Sequence, residues 1–149
     1  MEKDNEVLMP EFERLLKQGY IVEFSPKGES MRPHIEGGRD SVMLQHTRHP
    51  SVGDIVLAKA GKAYVLHRVV KRRGDQLTLR GDGNLHGEEH CTTGDVLGKV
   101  ISIIHDCGEH AWDSKPTSAF LWRHMPVWVK RIRLKMYRKR LKNNKRHEN

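Results

Sequence analysis

Ser30 lies in the run Lys27-Gly28-Glu29-Ser30-Met31-Arg32-Pro33, His67 in Val65-Leu66-His67-Arg68-Val69-Val70, and Asp82 in Leu79-Arg80-Gly81-Asp82-Gly83-Asn84. A hydroxyl on a glycine-flanked turn, an imidazole on a β-branched strand and a carboxylate just past the next strand are the groups that an activated serine nucleophile needs. The serine attacks a carbonyl, the imidazole takes its proton, and the carboxylate orients the imidazole. Each residue also has an ordinary reading: a turn serine, a strand histidine, and an aspartate capping the turn at Gly83 and Asn84. Their order along the chain is what points to acyl transfer.

The elements that would carry these groups are legible from periodicity. Pro10 to Gln18 reads as a short helix, with proline in its first turn, Phe12, Leu15 and Leu16 on one face, and Gly19 as its stop. The pattern then changes to period two with β-branched residues over Tyr20–Phe24, Ser41–Gln45, Asp54–Lys59, Ala63–Val70, Gln76–Arg80 and Val96–Ile104. Turns at Gly61 and at Arg73-Gly74-Asp75 join three of these strands as consecutive hairpins. The expected fold is mainly β, a rolled, barrel-like antiparallel sheet with a short N-terminal helix.

At 149 residues the chain can bury one core of ordinary size. With 36% hydrophobic and 31% charged residues it does not read as membrane-embedded, and no stretch approaches the ~18 apolar residues that span a bilayer. Met1-Glu2-Lys3-Asp4-Asn5-Glu6 is too polar for a secretory signal, so a cytoplasmic location is expected. Cys91 and Cys107 are too few for a disulfide scaffold and suit a reducing compartment. Residues 113–149 hold 12 Lys+Arg against 2 Asp+Glu, a net of +10, whereas residues 1–112 carry −2. That asymmetry divides the chain into a catalytic-type domain, 1–112, and a basic amphipathic helical tail, 113–149.

Taken together, Gly28-x-Ser30-Met31-x-Pro33, Val52-Gly53-Asp54-Ile55-Val56, Tyr64-Val65-Leu66-His67-Arg68-Val69, Gly81-Asp82 and Asp95-Val96-Leu97-Gly98-Lys99-Val100 resemble the superfamily that joins type I signal peptidases to the self-cleaving LexA-type repressors. Blocks in this order are far more specific than any one of them. The resemblance implies a β-rich fold, a serine nucleophile and cleavage of a peptide bond in an extended peptide or protein segment. Bacterial signal peptidases and the repressors have a lysine base before the Arg-Val pair; archaeal and endoplasmic-reticulum signal peptidases have histidine, as this chain does at His67. Histidine accepts a proton near neutrality without the burial a lysine base requires. In the His-type enzymes the candidates to orient the base are a carboxylate in the Gly-Asp block and one six residues further on. Those positions are Asp82, the firmer candidate, and Glu88; Glu88 and its neighbour Glu89 also read as solvated loop acids.

Some features depart from the resemblance. Glu29 and Gly28 stand where signal peptidases usually have a small residue and a second serine, so the oxyanion would depend on backbone N–H groups, that of Ser30 among them. Gly83 is inserted between Asp82 and Asn84. No apolar segment precedes Pro10, which argues against ordinary secretory signal peptides and for a leader or propeptide presented from the cytoplasmic side.

His86, His90, Cys91, His105, Cys107 and His110 match no compact metal module, so neither metal nor other cofactor is expected. In the tail, Trp122, Trp128 and other apolar residues alternate with Lys and Arg from about Ser118, and Pro126 would divide the helix. Such a segment suits an anionic membrane surface over residues 118–146, or packing on the barrel. A nucleic-acid arm is disfavoured because no base-reading module accompanies it. Two further classes stay open. One is a catalytically inactive barrel that binds a membrane or nucleic acid. The other is a repressor-like autoprotease, for which the residues before the first strand leave little room for a DNA-binding domain.

Overall fold

The structure, a computed structural model, describes residues 2–84, 87–105, 108–111 and 135. In chain order it contains α1 (Glu2–Lys17), β1 (Val22–Phe24), β2 (Ser41–Gln45), β3 (Ile55–Ala60), β4 (Ala63–Arg73), β5 (Gln76–Arg80) and β6 (Glu89–Thr92). A 3₁₀ turn (Thr93–Asp95) then leads into β7 (Val96–His105) and β8 (Gly108–Ala111). One mainly antiparallel sheet runs β1-β2-β7-β3-β4-β5-β6, with β8 added to β7. The tail helix expected from Ser118 lies outside the described residues, Lys135 excepted. Among the described residues, no helix is long and apolar enough to cross a membrane.

The sheet is buried on both faces near its middle, and β3 shows how. Ile55 and Leu57 belong to one apolar cluster, with Met9, Leu16, Met31, Ile35, Leu66 and Leu97. Val56 and Ala58 belong to the other, with Val69, Leu77, Leu79, Cys91 and Val96. Alternate residues of a strand point to opposite faces, so a continuous apolar run such as Ile55-Val56-Leu57-Ala58 is what a strand between two cores requires. Helix α1 closes the first core, and the ring of Phe12 meets that of Phe24 edge-on at 6.1 Å.

Two hairpins set the register of β4. Gly61 (φ 63°) and Gly74 (φ 56°) each take a left-handed conformation at the start of a two-residue turn, which glycine adopts without a Cβ penalty. From Ala63 to Arg68 β4 pairs with β3, and from Arg68 to Arg73 it pairs with β5. Among the described residues, the edge of β4 from Ala63 to His67 that faces away from β3 therefore has no strand partner.

Several elements differ from the sequence reading, β4 among them, which runs on to Arg73. Helix α1 begins at Glu2 rather than Pro10, with Pro10 inside it. Met9 and Leu16, both fully buried, extend the apolar face by a turn, and this burial outweighs the missing proline N–H. Strand β1 starts at Val22 because Tyr20 and Ile21 remain exposed. Finally, β6 and β8 are strands absent from the period-two pattern; β6, Glu-His-Cys-Thr, offers one apolar residue and so carries no alternation to read.

Candidate active site

Ser30 begins a short helical turn after β1, closed by bonds from Arg32 N–H to Glu29 C=O at 3.1 Å and from Ile35 N–H to Met31 C=O at 3.0 Å. Met31 and Ile35 anchor it in the first core. On the polar side the Arg32 guanidinium forms a two-pronged bond with Glu36 at 2.7 and 2.6 Å. Gly37 lies so close to this turn that a Cβ there would stand 2.0 Å from the Gly28 carbonyl oxygen.

His67 lies on β4 where the open edge ends, and is 5% exposed. Its Nε2 lies 3.0 Å from Ser30 Oγ, and its Nδ1 lies 2.7 Å from Glu89 Oε2. A carboxylate can only accept at that position, so Nδ1 carries the proton and the Nε2 lone pair is left for the serine hydroxyl. Ser30 Oγ–H donates to Nε2, and Nδ1–H donates to Glu89. This is the hydrogen-bond order of a serine activated by a base whose tautomer is held by an acid.

Glu89 stands at the start of β6, paired with Leu79 of β5. β6 is two strands across from β4, and with strands ~4.8 Å apart only a long side chain bridges that span. Glu89 shares its face of β6 with Cys91, whose thiol faces the second core; burial, with Asp95 nearby, pushes the Cys91 pKa up to about 11. Glu88 points elsewhere and pairs with Arg80.

Asp82 occupies a different place from the one the sequence suggests. Both its oxygens are held by Arg68, at 2.8 and 2.7 Å, and Oδ2 also meets His34 Nδ1 at 2.7 Å. Both nitrogens of His67 are taken by Ser30 and Glu89, so the carboxylate that meets His67 in this geometry is Glu89 and not Asp82. Burial alone would raise the Asp82 pKa, but the hydrogen bonds and charges of Arg68 and His34 outweigh it and hold the carboxyl below its ordinary value. Arg68 also donates from Nη1 to the Gly53 carbonyl at 2.8 Å. One guanidinium thus ties the Gly53, Arg68 and Asp82 segments together.

The Asp82 loop in turn holds the serine. Gly83 N–H donates to the Ser30 carbonyl at 2.8 Å, and a Cβ on Gly81 would stand 2.5 Å from that same oxygen. Backbone cannot yield to such an overlap as a flexible side chain would. Gly81→Ala is therefore expected to shift Ser30 off the imidazole and slow its acylation about 10²-fold, since a displacement of roughly 1 Å has that effect. Rates of Ser30 labelling by an acylating probe, compared with thermal melting of the variant, check this. Full labelling speed in the alanine variant would contradict it.

Beyond the Ser30–His67 pair runs a cleft of about 540 Å³. Phe24, Met31, Ile35, Leu57 and Leu66 make its apolar floor, and the open edge of β4 forms one wall. Among the histidines and cysteines weighed as metal ligands, His90 meets Thr78, His105 pairs with Asp40 and Cys91 is in the core, while His86 and Cys107 lie outside the described residues.

A rolled antiparallel sheet with a turn serine and a strand histidine at the end of an apolar cleft suits the superfamily of LexA-type and signal-peptidase-type serine peptidases. Within it, the chain belongs to the Peptidase S24-like family, whose sequence model matches residues 9–101. The matched span includes Ser30, His67, Asp82 and Glu89. No curated protein matches the chain. Family membership ties it broadly to peptidase-like or LexA-type function.

Proposed function

We propose that this chain is a serine endopeptidase in which Ser30 is the nucleophile, His67 the general base and acid, and Glu89 the group that orients His67. The observation that carries this reading is the continuous chain of bonds from Ser30 Oγ through His67 to Glu89 at the mouth of an apolar cleft. Ser30 Oγ attacks the scissile carbonyl as its proton passes to His67 Nε2, and the imidazolium formed is stabilised by Glu89. The carbonyl oxygen becomes an oxyanion, for which the Ser30 backbone N–H is the proposed donor. Collapse of this intermediate breaks the C–N bond, and His67 returns the proton to the leaving amine. Water, deprotonated by the same imidazole, then hydrolyses the acyl-enzyme.

The substrate is an extended segment of a peptide or protein, a leader or propeptide in the leading case. Unpaired N–H and C=O groups along Ala63–His67 supply main-chain partners for a peptide added as a strand, and would bring its backbone to the serine. The test is an active-site-directed fluorophosphonate followed by peptide mapping. Labelling at Ser30, lost in His67→Ala, is the expected result. An unmodified Ser30 under conditions that label a control serine peptidase would refute the enzyme reading and favour a barrel that only binds.

A further inference from the structure

The cleft has a distribution of charge that the chemistry at Ser30 does not require. Its floor is apolar, and the fully charged side chains on its lining are Lys27 and Lys62, with no carboxylate among the described lining residues. Both lysines are exposed, and neither takes part in an ion pair among the described residues. Nearby cations are occupied: Arg32 is bound by Glu36 and Glu29, and Lys59 lies over the Tyr64 ring at 5.8 Å. Lys27 and Lys62 both line the cleft, one preceding the serine turn and the other in the turn that opens β4. This arrangement is unusual for a domain whose first 112 residues carry net −2.

We infer that the cleft selects extended peptides that carry an acidic side chain about three to five residues from the scissile bond, amid apolar residues. The inference rests on the reading of this cleft as the substrate-binding face of a serine peptidase. Lys62 is five positions along the strand from His67, and Lys27 is three before Ser30. At ~3.3 Å per extended residue, a peptide lying along β4 with its scissile carbonyl at Ser30 reaches Lys62 about five residues away, while Lys27, three residues before Ser30 in the chain, lies within about 10 Å of it. Apolar side chains pointing to the floor meet Phe24, Leu57 and Leu66, and an acid at the rim meets a cation with no competing carboxylate among the described lining residues. The basic tail of the same chain, at net +10, has the wrong sign to be the preferred occupant.

The experiment measures binding to the Ser30→Ala chain, which cannot turn substrate over, by fluorescence anisotropy. The probes are short apolar peptides in which one Asp, Asn or Lys is moved position by position. Asp at the favoured positions is expected to bind roughly three- to tenfold tighter than Asn, the effect of one or two exposed ion pairs. Raising salt should erase the difference, because exposed charges are screened beyond ~8 Å at physiological ionic strength. Lys27→Gln with Lys62→Gln should equalise Asp and Asn, and Lys27→Glu with Lys62→Glu should favour Lys. Equal binding of Asp and Asn peptides, an acid preference that survives both lysine changes, or no peptide binding at all would overturn the inference. Fluorophosphonate labelling of the unaltered chain separates the two claims: labelling at Ser30 without acid preference defeats this inference alone, and absent labelling defeats the peptidase reading.

Discussion

Ser30→Ala and His67→Ala are each expected to lower peptide cleavage by about 10⁶-fold, and the double variant to be no slower than either single one. In the proposed mechanism the two groups act as a unit. Without the imidazole the hydroxyl keeps its proton, and without the hydroxyl the imidazole has no nucleophile to activate. The 3.0 Å Ser30 Oγ–His67 Nε2 contact is what makes them one device. Ser30 is partly exposed on a turn held by backbone bonds, so its alanine variant should fold unchanged. Kinetics on a cleaved peptide, with circular dichroism of each variant, provide the check. Additive losses in the double variant would mean that Ser30 and His67 do not share a step.

Much of this architecture is readable from the sequence because strand alternation and glycine turns are local signals. The hairpins at Gly61 and Gly74 require a residue that takes positive φ, and they fix β3, β4 and β5 in register. With that register set, His67 falls at the end of the open edge of β4, facing the serine turn. Other features depend on contacts distant in sequence. Helix α1 extends past Pro10 because Met9 finds a core built mostly by residues after Val22, which no helical propensity reveals. β6 is a strand because β5 supplies a ladder for it, not because its residues alternate.

The carboxylate that meets His67 is instructive in the same way. Counting six residues from Asp82 leads to Glu88, but Gly83 is an inserted residue in that interval. A one-residue insertion moves the matching position to Glu89, and a shift of one along a strand sends a side chain to the opposite face. Glu88 accordingly turns to Arg80 and Glu89 to His67. Asp82 is misleading for another reason. Its partner, Arg68, is next to His67 in sequence, so proximity along the chain does not distinguish a carboxylate on the histidine from one on the arginine. The pleat does: adjacent residues of β4 face opposite ways.

Two substitutions that look alike on paper should therefore fail differently. Glu89→Gln is expected to leave the fold intact, since this side chain is about one-third exposed, yet to lower kcat by roughly 10²- to 10⁴-fold. The amide can turn its NH₂ toward Nδ1, which places the imidazole proton on Nε2 and leaves no acceptor for the serine. Asp82→Asn acts on stability instead. Arg68 and Asp82 are each 2% exposed at their side chains, and removing one charge of a buried pair costs about 3–5 kcal/mol because the other is left uncompensated. The same pair governs acid behaviour. Its folded pKa is lowered, so Asp82 adds stability that is present above the ordinary carboxylate value of ~3.9 and is lost as pH falls through the lower folded value. Asp40, likewise lowered, by bonds from Arg39, the Glu36 backbone and His105 that outweigh its burial, adds to that acid limb. In urea unfolding, Asp82→Asn should thus have a lower midpoint at neutral pH and a shallower loss of stability in acid than the unaltered chain, while Glu89→Gln matches the unaltered chain in both. If Asp82→Asn unfolded normally and lost activity with an intact fold, and Glu89→Gln stayed fully active, Asp82 would be the group that orients His67, and the Glu89 assignment would fall.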